Sequence, residues 1–405
     1  MSHDMTLADR VIELRRRRGM SQEELAEAAG YSVGVVRKIE QGGSARMETY
    51  HALARALGVR TVWFMAADSP VPAPSDRRDT ALADIRSAVN PPAGMQGRMF
   101  GAVEGDPNLG LLERAVDSVA IAYQTDRYDD VARFAPALVR SAHMHVRALD
   151  DPERVTARRL RADALQLTGR YLIQIREHDL ALIALRDALE DALSVGDAAL
   201  AAAAIGQQGW ALLRQARFAE VEELCVAVAD QMEPRRSSAT VDQLSAWGYL
   251  LMRASSAAAR NNRMENSREL QAAADSAAVR IDGEHDTAGH MKFGAVTTAM
   301  NGMQNELIAG NPDRALERAE SLPGDIGLAT PNTQQRFALD RAKALLASGN
   351  ADRATSVMTD LRRTAPAWLA NQQAARDIAE DMLDARSRTP SEEQRELADF
   401  LGLPL

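Results

Sequence analysis

The chain has 405 residues, with 48 Lys and Arg against 57 Asp and Glu, a single cysteine, 46% apolar residues and 4% aromatics. A lone Cys225 excludes an intrachain disulfide framework, no basic-apolar-small leader opens the sequence, and no apolar run reaches the ~18 residues of a membrane span. A soluble helical protein of the cytoplasm, with no membrane partner, is the expectation. Charge is unevenly divided: residues 1–68 hold ten Arg and Lys against nine Asp and Glu, a net of +1, and the remainder holds 38 against 48, a net of −10. Phosphate attraction depends on local charge, so the head rather than the acidic body is the candidate for nucleic acid.

Leu7, Val11 and Leu14 form one apolar stripe of a first helix, closed by Arg15–Arg18 at its dipole-favoured end and stopped by Gly19. Ser21-Gln22-Glu23-Glu24 is an S-x-x-E capping box for a second helix, with Leu25, Ala26 and Ala29 inward and Gly30 ending it. Ser32 can cap a third helix, Val33–Gln41, which buries Val36 and Ile39 and turns Val33, Gly34, Arg37 and Lys38 outward. A fourth helix follows over 47–57, with Leu53 and Leu57 inward and Gly58 as its stop, then a short fifth piece from Thr61 through Trp63, Phe64 and Met65.

Two short helices joined by a tight Gly-containing turn inside a five-helix unit describe a helix-turn-helix module. Gly19-Met20-Ser21-Gln22-Glu23-Glu24-Leu25-Ala26, Gly30-Tyr31-Ser32, Arg37-Lys38-Ile39-Glu40-Gln41-Gly42 and Leu53-Ala54-Arg55-Ala56-Leu57-Gly58-Val59 resemble, in order and spacing, the Xre/phage-repressor type of DNA-binding domain. The resemblance implies that Gln22 meets a phosphate, that Ser32, Val33 and Gly34 lead the recognition helix into the major groove, and that Arg46 touches the backbone. It makes Arg37 the base reader, since a planar guanidinium can hold O6 and N7 of guanine, with Lys38 on phosphate or guanine. Family members often carry Gln, Ser or Thr where Val33 and Gly34 stand, which leaves Val33 a thymine methyl at most. Arg15–Arg18 are either a solvated helix end or phosphate contacts, and Arg37 and Lys38 could instead pair with Glu40 or Glu27. Glu40, an anion repelled by the groove, is expected to fix the recognition helix through a hydrogen bond within the domain.

Alternate prolines in Asp68-Ser69-Pro70-Val71-Pro72-Ala73-Pro74-Ser75-Asp76 read as an extended linker. The organisation expected is a DNA-binding domain over 1–67, a linker over 68–80 and a sensing and dimerising body over 81–405. Asn90–Gly110, rich in Gly and Pro, reads as a loop or lid and matches no phosphate-binding pattern. From Leu111 onward the chain is expected to be almost continuously helical and repeats at about forty residues: Gly169 and Gly209 are 40 apart, Gly310-Asn311 and Gly349-Asn350 are 39 apart. Small residues at such places let paired helices approach to ~8–10 Å. The plan is similar to a degenerate tetratricopeptide array of six to seven helix pairs, with first helices near 109–124, 153–175, 197–215, 239–260, 286–309, 333–348 and 367–387. The fold class expected is therefore all-α, a helix-turn-helix domain followed by a superhelical array of antiparallel helix pairs.

First-helix residues line the concave side of such a coil. Projecting the register from Gly169 and Gly209 puts Asp163, Gln166, Arg170, Gln174, Trp210, Arg214, Tyr249, Arg253, Asn301, Gln304, Arg336, Asp340 and Lys343 there. Arg and amide side chains could hold a peptide backbone or a carboxylate, with Trp210 and Tyr249 giving apolar contact; as single residues they read equally as helix-surface polars and half-buried aromatics. No catalytic set, metal motif or cofactor is indicated: His143 and His145 are two apart and do not share a helix face, and Cys225 reads as a small core residue. Resemblance to peptide-responsive regulators of the same head-plus-repeat layout suggests a homodimeric transcription regulator that binds operator DNA and a peptide or small-molecule effector. The rival readings are a repeat scaffold that recruits a partner protein to DNA and an enzyme with a hidden site.

Overall fold

Some of the capping residues and glycines marked in the sequence, Ser21, Gly30, Gly310 and Gly349 among them, are where the backbone turns. The computed structural model describes residues 7–43, 45, 47–57, 76–92, 94–95, 105–234, 239–322, 325–384 and 390–403. These fall into two compact units, 1–79 and 80–405.

In the first unit the helices are Leu7–Arg17, Gln22–Ala29, Val33–Glu40 and Met47–Ala56. Ser21 accepts from Glu24 N while Glu24 accepts from Ser21 N, closing the capping box, and Gly30 ends the helix at φ 74°. Ser32 stands at the N-cap of Val33–Glu40 but its side chain makes no capping bond. Val11, Leu14, Leu25, Ala26, Val36, Ile39, Leu53 and Leu57 form the core. Gly58, the short piece from Thr61 and residues 68–75 of the expected linker lie outside the described residues. The linker's expected end at 80 is shortened, because a helix runs over Asp76–Val89, beginning two residues after the last proline that would have broken it.

The second unit is a run of antiparallel helix pairs. Leu109–Gln124 packs on Tyr128–Ala148, Glu153–Gln174 on His178–Ser194, Ala198–Arg214 on Phe218–Gln231 and Val241–Arg260 on Met264–Ala278. Then come Ala295–Ile308 with Pro312–Glu320, Pro331–Ala347 with Ala351–Thr364, and Gln373–Asp384 with Glu392–Leu401. The turns inside the first six pairs follow one rule. A residue two before the second helix adopts the left-handed conformation: Asp126, Arg176, Ala216, Asn262, Gly310 and Gly349, at φ 57° to 79°. The next N–H then reaches back to a carbonyl five residues earlier, as in Arg217 N to Leu212 O at 3.1 Å and Asn350 N to Leu345 O at 2.8 Å. This is the Schellman closure of a helix end. Gly169 lets Leu185 of the paired helix approach, since a Cβ there would lie 2.9 Å from Leu185 Cγ; Gly209 does the same for Val221 and Cys225.

Two expectations about the body are corrected. A first helix over 286–309 is replaced in its first part by an antiparallel hairpin, Glu284–Thr287 with Met291–Gly294, and the helix starts only at Ala295. Gly289 and His290 turn it at φ 74° and 57°. Phe293 is wholly buried where Gly248 leaves it room, and Glu284 caps the following helix by accepting from Val296 N and Thr297 N. The helix expected over 367–387 is broken, with a short turn Pro366–Ala370 and a new start at Gln373. The helix expected near 109–124 runs over Leu109–Gln124 behind the Asn108 side-chain cap, and residues 93 and 96–104 of the Asn90–Gly110 stretch lie outside the described residues.

Candidate nucleic-acid interface and ligand cavity

Within the first unit the recognition helix Val33–Glu40 is tied to its neighbours by one polar chain. Arg15 donates from Nε to Glu40 Oε1 at 2.6 Å and from a second nitrogen to Oε2 at 3.1 Å; Gln22 Nε2 donates to the same Oε2 at 2.6 Å. Gln22 in turn accepts from Arg37 Nε at 3.2 Å, and Arg37 also donates to Glu23 at 2.9 Å. Burial works against the charge on Glu40, but the bonds from Arg15 and Gln22 outweigh it and hold the carboxyl below its ordinary value. The hydrogen bond to Glu40 raises Arg15 correspondingly. Arg15 is thus an internal brace, while Arg16 is exposed.

Ser32, Gly34, Arg37 and Lys38 are exposed, and Gln22 is half-buried. Val33, expected to point outward, is half-buried and packs on the domain core, because it begins the same apolar face as Val36. Arg46 lies outside the described residues. The Arg37–Glu23 pair has side chains more than half exposed. Exposed pairs are worth ~0–1 kcal/mol, less than the ~1–3 kcal/mol of a bidentate guanine contact, so this pairing leaves Arg37 available to a base.

In the second unit, first helices of successive pairs converge on a cavity of about 250 Å³. Eight of the nine ligand candidates line it: Arg170, Gln174, Trp210, Arg214, Tyr249, Arg253, Asn301 and Gln304. Gln166 does not. It is wholly buried beneath the hairpin turn, where a Cβ on Gly289 would lie 2.6 Å from its Oε1, and its amide has no hydrogen-bond partner. Arg336 and Asp340 also line the cavity, whereas Asp163 and Lys343 do not.

The hairpin explains these differences. Arg170 donates to the carbonyls of Gly289 and His290 at 3.2 and 3.3 Å, with its guanidinium 4.3 Å from the centre of the Tyr123 ring, and Met291 and Lys292 form part of the wall. Tyr249, expected as an apolar contact, is 3% exposed, its hydroxyl accepting from Arg253 at 2.9 Å and from Gln207 at 3.3 Å. Asn301 and Gln304 are held in networks, Asn301 with Ser256 and Gln271, Gln304 between Arg260 and Asp340. Residues missed by projection include Tyr123, Gln207, Arg260, Lys292 and Trp368. Arg260 was within reach, lying seven residues, two helical turns, beyond Arg253.

Burial lowers the pKa of Arg214, with the charges of Arg336 and Arg176 acting in the same direction. Burial likewise brings Arg260 down to about 10. Cys225 is buried and pushed up to about 12 by that burial, which suits a packing residue rather than a reactive thiol. Among the described residues no group of His, Cys, Asp and Glu could hold a metal ion.

Residues 11–64 match the family model described as helix-turn-helix, so the first unit carries a helix-turn-helix domain of the Xre type. Among solved structures the chain is similar to Bacillus thuringiensis PlcR in complex with the peptide PapR7 and DNA, at 11% identity and a TM-score of 0.34, covering 87% of this chain and 99% of that one. It is also similar to PrgX, at 8% identity and a TM-score of 0.26, covering 97% and 98%. Comparison with curated proteins gave no match.

Proposed function

We propose that this chain, with its Xre-type helix-turn-helix domain, is a sequence-specific transcription regulator whose helical-repeat body binds an effector, a short peptide or small metabolite, and thereby controls operator binding. What supports the reading is the joint presence of an exposed Arg37 and Lys38 on a braced recognition helix and, in the other unit, a cavity walled by arginines and aromatics. Gln22, Ser32, Gly34, Arg37, Lys38 and Arg46 face the duplex in this reading, and Arg37 reads guanine. One recognition helix covers only a few base pairs, so the regulator acts as a homodimer on half-sites ~34 Å apart. The acidic body stays off the duplex and acts through the effector it holds.

The experiment is selection of duplexes from a random pool by the full chain at physiological salt, followed by affinity measurement with Arg37→Ala. The reading expects enrichment of a two-fold-related pair of half-sites. Arg37→Ala weakens binding to the selected site about tenfold to a hundredfold, the equivalent of the ~1–3 kcal/mol of one bidentate contact, and barely alters random duplex. A pool that never converges, or an R37A chain with unchanged preference, overturns it.

A further inference from the structure

Resting on that reading of the cavity, we infer that the effector is a polyacid, carrying two or three carboxylate or phosphate groups that sit among Arg214, Arg253, Arg260 and Arg336. These four guanidiniums line one cavity with a single carboxylate, Asp340. None of the four forms a salt bridge with a carboxylate among the described residues. Arg260 is spent on neutral acceptors, the Ser256 carbonyl at 2.8 Å and Gln304 at 3.2 Å; Arg336 donates to Gln372 at 2.6 Å. Arg253 bonds the Tyr249 hydroxyl, and its Nε is buried with no partner. Arg214 makes no hydrogen bond at all among the described residues.

Arg170 and Lys292 share the wall with these four, so six cations face one carboxylate, and with Lys292 set against Asp286 an excess of four positive charges remains in a chain whose net charge is −9. Like charges out of bulk water repel strongly, and arginines without acceptors keep unmet donors. Burial lowers the pKa of Arg214 first and Arg336 adds to it; in Arg260 burial also acts first, the charge of Asp340 opposes it, and Arg336, Arg253 and Arg214 lower it further. Asp340 is a single carboxylate among these cations, and burial raises its own pKa. A ligand with two or three acid groups offsets most of that excess and offers the planar forks bidentate partners. The half-buried Trp210 ring in the same wall fits an apolar segment between those groups, while Trp368, 1% exposed, lies beneath the Arg336 guanidinium.

The test uses the full chain without DNA and three probes, citrate, inorganic pyrophosphate and the tripeptide Glu-Leu-Glu, each read by calorimetric titration and melting temperature against sodium chloride of equal ionic strength. Saturable binding by at least one probe, with a rise in melting temperature beyond the salt control, is expected; the phosphate, small-carboxylate and peptide arms then separate the sources of the acid groups. Arg214→Gln and Arg336→Gln each weaken that binding at least tenfold, while Arg217→Gln, at an exposed surface pair with Glu220, leaves it unchanged. R214Q without ligand melts no lower than the parent, because it removes an unpaired cation. Absence of saturable binding by all three probes, binding indifferent to R214Q and R336Q, or a clear loss of stability in ligand-free R214Q overturns the inference. A polyacid that binds here without altering operator affinity refutes the regulatory reading and leaves this one standing; operator control by a neutral effector alone does the reverse.

Discussion

Glu40 carries a charge with only 5% of its side chain exposed, and it tolerates this because Arg15 grips both its oxygens and Gln22 adds a third bond. Removing one member of such a pair strands the other, which typically costs ~3–5 kcal/mol. Glu40→Ala therefore lowers the unfolding free energy of the helix-turn-helix unit by about 3 kcal/mol, measured by hydrogen exchange across 22–40. The folded carboxyl titrates below its unfolded value, so this stabilisation is present at neutral pH and is lost as pH falls through the folded pKa. Asp163 is the opposite case: burial, then the charges of Asp197 and Asp117, push it up to about 7. Its contribution is most favourable below the unfolded value of about 3.9 and is lost as pH rises toward 7. Asp163→Asn raises the urea midpoint at pH 8 and leaves it nearly unchanged at pH 4. An internal bond from Glu40 was legible from its sign on the recognition helix; its partner Arg15, 25 positions away, was not, because sequence spacing identifies neighbours only along one helix.

At the scale of elements, helix starts and the forty-residue repeat were legible because capping residues and small residues recur at fixed places. The turn rule was only half legible. Gly310 and Gly349 announce a left-handed turn, but Asp126, Arg176, Ala216 and Asn262 occupy the same position with side chains that strain it. Ala216, whose side chain offers no local hydrogen bond, carries the whole cost of ~1–2 kcal/mol. Ala216→Gly accordingly stabilises the body by about 1 kcal/mol, read as a higher denaturant midpoint with an unchanged slope. The hairpin escaped the helical reading because each of its strands has only four residues, too short for periodicity to speak. Its signal was the Ala288-Gly289-His290 break between two short runs. The hairpin's position decides which register-projected residues reach the cavity, burying Gln166 and occupying Arg170. A Cβ on Gly248 would lie 2.1 Å from Phe293 Cζ. Gly248→Ala costs about 2–3 kcal/mol through that overpacking, exposes amides 284–294 to exchange, and weakens any ligand that leans on Met291 or Lys292.

Across the whole molecule, charge is partitioned so that the unit able to meet phosphate is near neutral with exposed cations, and the acidity resides in the other, except for the cationic cavity at its centre. That partition was legible from the sequence; which arginines face one another was not, since Arg214 and Arg336 are separated by 122 positions and meet only through the coil of the repeats. Under the proposed function, an effector changes operator affinity only by the difference in its own affinity for the two states of the chain. Tenfold control requires about 1.4 kcal/mol of such difference, a small fraction of what two or three charge-assisted contacts supply. Coupling of this kind is reciprocal. If a bound polyacid weakens operator affinity tenfold, saturating operator must weaken polyacid affinity tenfold, and Arg214→Gln, which removes one cation from the polyacid site, is expected to reduce both effects together. Titrating the polyacid onto free and operator-bound chain, and operator onto free and polyacid-bound chain, gives the two factors independently. Equal factors that shrink in parallel in R214Q are expected; a polyacid whose affinity is indifferent to operator while operator affinity still responds to it would place the response outside this cavity.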